Sequence, residues 1–85
     1  MKDYEWNPEE FGTQKANVRA WLLNGNTITP LEAFNKFNSL RLSAIIFDLR
    51  EEGLPIVTEK IQVSHRKRVA QYYLPKDYLD SLNND

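Results

Sequence analysis

Apolar positions recur at helical spacing three times along the first part of the chain and then give way to β-favouring runs. Thr13 can cap a helix over Gln14 to Leu23, with Val18, Trp21 and Leu22 at i, i+3 and i+4 as its inward stripe. Asn24-Gly25-Asn26 ends it with residue types that tolerate a left-handed turn. Thr27-Ile28-Thr29 favours β but is too short for more than one or two ladder bonds. It runs into Thr29-Pro30-Leu31-Glu32, the strongest local pattern in the chain. Thr29 can accept from the backbone N–H of Glu32 while Glu32 reaches back to Thr29, and Pro30 loses nothing at a first helical position. A second helix therefore starts at Pro30, with Leu31, Phe34 and Phe37 as its apolar side and an interruption at Asn38-Ser39; Trp21, Phe34 and Phe37 are expected in the core. Ser39 or Asn38 caps a third helix whose stripe is Leu42, Ile46 and Leu49. Gly53, Leu54 and Pro55 stop it.

Ile56 to Val63 and Val69 to Leu74 are rich in Val, Ile, Thr and Tyr, and Ser64-His65-Arg66-Lys67 between them predicts a hairpin with a basic tip. Pro75 opens one or two further helical turns over Lys76 to Leu82. Helix, tiny strand, helix, tight turn, helix, hairpin is the order of a winged helix-turn-helix: an α+β fold with a three-helix core and a small antiparallel sheet whose hairpin is the wing. The Ile28 triplet makes sense only as a third strand paired with that hairpin, because alone it would not form. The expected organisation is an acidic arm over 1–12, the domain over 13–75 and a short acidic tail over 76–85.

Ile28-Thr29-Pro30-Leu31-Glu32-Ala33-Phe34, Arg41-Leu42-Ser43-Ala44, Asp48 through Ile56, and Arg68-Val69-Ala70-Gln71-Tyr72 with Leu74 together resemble a family of small winged-helix domains common in bacteriophages and prophages. The resemblance implies a winged-helix fold and a DNA-binding or regulatory role. Position 45, where the pattern often carries a basic residue, is Ile45 here.

Length and composition narrow the class. At 85 residues and 10.0 kDa the chain holds one small domain, and 41% apolar residues with two Trp, four Tyr and four Phe fill a modest core without a metal or crosslink. The absence of Cys and the single His65 exclude disulfides, structural zinc and a His–Cys catalytic pair, so no metal or cofactor is expected. No apolar run is longer than the four residues Ala44 to Phe47, too short for a membrane span, and the N-terminus is too acidic for a signal peptide, which points to a cytoplasmic protein. Net charge is −1, but its distribution is uneven. Lys2 against Asp3, Glu5, Glu9 and Glu10 makes the first twelve residues −3, Lys76 against Asp77, Asp80 and Asp85 makes the last ten −2, and the middle is left at +4. A basic body between acidic ends suits a polyanionic partner, while a pI near 5.8 is low for one.

The third helix of such a fold offers its N-terminal half to a major groove, and the inward stripe leaves Arg41, Ala44, Ile45 and Asp48 towards its other side. Arg41 is the first base-reading candidate, against a plainer role paired with Glu52 or Asp48. Arg66, Lys67 and Arg68 concentrate charge at the wing for flanking phosphates, with Lys36 and Arg41 expected on the same side. The expected DNA-contacting set is Lys36, Ser39, Arg41, Ala44, Ile45, Arg66, Lys67 and Arg68, with double-stranded DNA as partner, in transcription regulation or DNA processing. The alternative is a protein-binding winged helix, an inhibitor of a host defence or regulatory protein, using the acidic tails and the Ala44-Ile45 patch. Tyr4, Trp6 and Phe11 in the arm, and Tyr78, Leu79 and Leu82 in the tail, should pack on the domain, on a partner or in a homodimer seam. Glu51 and Glu52 point about 100° apart on a helix, and Gly12, Gly25 and Gly53 are isolated, so neither carboxylate catalysis nor a phosphate loop is expected, and no small-molecule substrate.

Overall fold

Six elements carry the chain in the computed structural model, which describes residues 8–82. They are α1 (Pro8–Leu23), α2 (Pro30–Phe37), α3 (Leu42–Glu51), β1 (Val57–Ser64), β2 (Lys67–Tyr73) and α4 (Lys76–Leu82). Helix α1 starts well before the expected Gln14 and takes in Pro8 to Gly12 of the stretch read as an arm, so Thr13 lies inside the helix and caps nothing. Two features support the early start: Glu9 and Glu10 complement the helix dipole in the first turn, and Phe11 is buried on the face that continues through Gln14, Val18 and Leu22. Phe11 thus packs on the domain; Tyr4 and Trp6 lie outside the described residues. The helix stops where expected. Gly25 adopts φ 88°, its N–H donates to the Leu22 carbonyl at 3.0 Å and the Asn26 N–H donates to the Trp21 carbonyl at 3.3 Å.

The capping box on α2 is fully formed: the Thr29 hydroxyl accepts from the Glu32 N–H at 3.2 Å, and the Glu32 carboxylate accepts from the Thr29 N–H at 3.0 Å. Asn38 is the left-handed C-cap of α2, with φ 55°, and does not cap α3. The N-cap of α3 is Arg41 with no side-chain cap bond; Ser39 instead sits in the turn, where its hydroxyl accepts from the Arg41 N–H at 3.2 Å. The sharp corner between α2 and α3 is closed by the Ser39 N–H on the Ala33 carbonyl and by the Gln14 amide on the Asn38 carbonyl at 3.0 Å.

The sheet has two antiparallel strands, with Val57 opposite Tyr73, Ile61 opposite Val69 and an irregularity between Gln62 and Ser64. The expected third strand is a single bridge. Ile28 donates to the Tyr72 carbonyl at 2.9 Å and accepts from the Tyr72 N–H at 2.8 Å, and Pro30 begins a helix too soon for more. Val18, Leu22, Ile28, Ala33, Ile46 and Leu49 build the core, and Tyr78 and Leu79 of α4 pack against it. Among the described residues no helix is long and apolar enough to cross a membrane.

Candidate nucleic-acid interface

Which residues face solvent on α3 follows from its inward stripe. Leu42, Ile45, Ile46 and Leu49 are all buried, the complete i, i+3, i+4, i+7 set. Ile45, with no exposed surface, belongs to the core and is withdrawn from any contact with DNA or protein. Ser39 is only 1% exposed and is withdrawn for the same reason. Over its first two turns α3 presents Ser43, Ala44 and Phe47 outwards, the last 63% exposed. The three-position stripe Leu42, Ile46 and Leu49 leaves Ile45 outside and gives no sign of Phe47; completing the stripe with Ile45 turns Phe47 out.

Arg41, half-buried at the start of α3, holds the first helical turn through its carbonyl, which accepts from the Ile45 N–H at 3.0 Å. Its anticipated acidic partners are engaged elsewhere. Lys15 on α1 donates to Glu52 at 2.7 Å and lies 3.9 Å from Asp48. The hydrogen bond from Lys15, with its charge, holds the Glu52 carboxyl below its ordinary range, and the bond to Glu52 raises the Lys15 ammonium above its own. Lys36 is exposed on α2 and engages the face of Trp21, its Nζ 5.1 Å from the ring centroid.

In the wing, the turn itself is His65-Arg66, closed by the Gln62 side-chain amide on the His65 carbonyl at 3.1 Å. Lys67 and Arg68 are the first residues of β2, opposite Ser64 and Gln62. Arg66, Lys67 and Arg68 are all exposed and none forms an ion pair within the described residues. Successive strand residues point to opposite faces, so the three charges straddle the ribbon. Lys67 faces inwards, where it lines a groove with α2. That groove places the wing beside Pro30, Leu31 and Leu40, at the helix-turn-helix corner. A side chain unnoticed on sequence fixes this placement: Arg50, near the end of α3, donates to the Ile56 carbonyl from Nε at 3.1 Å and from Nη2 at 2.8 Å, and to the Thr58 hydroxyl at 2.8 Å. A charged residue on an exposed helix face gives no sequence hint of such a role.

Residues 13–77 match the family model for the winged helix-turn-helix domain. The chain belongs to that family. The winged helix-turn-helix domain accounts for the corner at Asn38-Ser39, for the hairpin beside it and for a DNA-binding role in outline. No curated protein and no solved structure matches the chain. Among the described residues, no group of His, Cys, Asp and Glu is placed to hold a metal ion.

Proposed function

We propose that this winged helix-turn-helix protein binds double-stranded DNA with the outer face of α3 in a major groove and the wing on flanking phosphates. The observation that carries the reading is the exposed cluster Arg66, Lys67 and Arg68, without an ion pair among the described residues, at the tip of a ribbon anchored to α3 by Arg50. Ser43 supplies a hydroxyl, Ala44 and Phe47 supply apolar surface of the kind that meets a thymine methyl, and Arg41 stands at the start of the helix for a guanine edge. Lys36 adds a phosphate contact once it leaves the Trp21 ring. Phosphates position the module and the short outer face of α3 reads few bases, so the affinity of one copy is modest. The resemblance to phage and prophage domains supports a role in regulating transcription or assisting DNA processing.

The test is fluorescence anisotropy of labelled duplex DNA with the wild type, an Arg66→Ala/Lys67→Ala/Arg68→Ala variant and a Phe47→Ser variant. The wing variant should lose binding to all duplexes alike, about tenfold or more, while Phe47→Ser should reduce the difference between sequences and leave nonspecific affinity in place. Wild-type protein that ignores duplex DNA at low salt would sink the proposal.

A further inference from the structure

Helix α2 is strongly amphipathic, yet Ala33 is its only buried residue. Leu31 is 68% exposed and Phe34 44%, one turn apart on the side away from the core, and this corrects the expected place of Phe34 inside it. They form one wall of a groove of 570 Å³ between α2 and the wing, whose other wall is Val63, Lys67 and Val69 and whose end is Leu40, 69% exposed. Five large apolar side chains converging on one open groove in so small a domain is a surface kept for a partner, because scattered single exposures need no explanation and contiguous ones do.

We propose that this groove receives an acidic amphipathic helix of another protein, a contact that does not depend on the DNA reading. Two observations fix the chemistry of the occupant. The groove opens to solvent and one wall is an apolar helix face that no other described element covers, which suits i, i+3, i+4 anchors of a second helix better than a small enclosed ligand. Among the described residues its only charged lining residue is the cation Lys67, so a carboxylate on the rim of the incoming helix is favoured beside it and a basic residue there is repelled. The nearest acidic group on α2, Glu32, has an oxygen engaged by the Thr29 N–H in the capping box.

The experiment is an NMR titration of the isotope-labelled full chain with two synthetic peptides about four turns long. Both carry Leu and Phe at i, i+3, i+4 and i+7; one has Glu flanks and the other Lys flanks. The acidic peptide should shift resonances of Leu31, Phe34, Leu40, Val63 and Val69, and bind about tenfold more tightly than the basic one. Leu31→Ser with Phe34→Ser should abolish the shifts; both side chains are exposed, so the core is untouched and the remaining spectrum reports an intact fold. Lys67→Glu should remove the preference for the acidic peptide and leave apolar binding. Failure of both peptides to move the groove resonances, equal binding of the two, or concentration-dependent shifts of the same residues without peptide, which would put a second copy of the chain there, would each overturn the proposal.

Discussion

Arg50 joins the end of α3 to the start of the wing with three hydrogen bonds from one guanidinium, two of them to the Ile56 carbonyl. Arg50→Ala removes all three and leaves that carbonyl to water, so it should cost about 1–2 kcal/mol in urea denaturation and raise amide exchange at the start of β1 before other sites. Two glycines make an opposing pair. Gly53 sits at φ 104° with nothing near a would-be Cβ, so Gly53→Ala carries only backbone strain, about 1 kcal/mol of destabilisation. Gly12 lies within α1 with equally open surroundings, and Gly12→Ala should stabilise by about 0.5–1 kcal/mol because it removes unfolded-state freedom without a clash. Thermal melts of both variants check the signs. Lys15 and Glu52 tie α1 to α3, and their shifts set a pH window. The lowered Glu52 value gives a contribution present above the unfolded carboxyl's pKa and lost as pH falls through the folded one; the raised Lys15 value gives one lost only in strong alkali. Melting of wild type and Glu52→Gln at about pH 7 and about pH 3 should therefore converge at the acid end.

At the scale of elements, α2 depends on its cap more than on burial, since only Ala33 is buried and the helix is short. Thr29→Ala breaks the reciprocal pair and should cost about 1 kcal/mol, with the loss of protection concentrated in α2 and the Ile28 bridge. The same locality explains what could be read in advance. Pro30, the left-handed Gly25 and Gly53, and the β-favouring runs around His65 act through their own backbones, and the starts of α2 and the wing and the stops of α1 and α3 followed from them. The start of α1 did not, because it rests on Phe11 meeting a core made by distant segments. The outward turn of Phe34 and inward turn of Ile45 depend on how α2 and α3 are rotated against α1, a tertiary choice. For α3 the full four-position stripe was present in the sequence; for α2, Leu31, Ala33, Phe34 and Phe37 fit two orientations, and packing selected the one that buries the smallest. Of the candidate interface, the wing was legible as a charge cluster on a turn, whereas Arg50 and the groove exist only once β1 lies beside α2.

Over the whole molecule, net charge is −1 while the stretch between the two acidic ends holds a surplus of four positive charges. Beyond about 10 Å at 0.1 M salt such ends are screened, so close phosphate contacts decide the affinity and overall charge acts mainly at low salt. If Arg66, Lys67 and Arg68 each neutralise one phosphate, the logarithm of affinity should fall with the logarithm of salt at a slope of about −2.7, which is about fortyfold between 50 and 200 mM. The triple-Ala variant should flatten this slope, and a single variant should reduce it by at most about one. Because Lys67 faces the groove and Arg68 the opposite side of the ribbon, a duplex lying along one face engages them unequally. Arg68→Ala and Lys67→Ala then differ in slope, and the steeper loss marks the face of the wing that meets the phosphates. Equal, full losses from both would require the duplex to take the ribbon edge-on at its tip, with the two side chains wrapping the same phosphate run from either side.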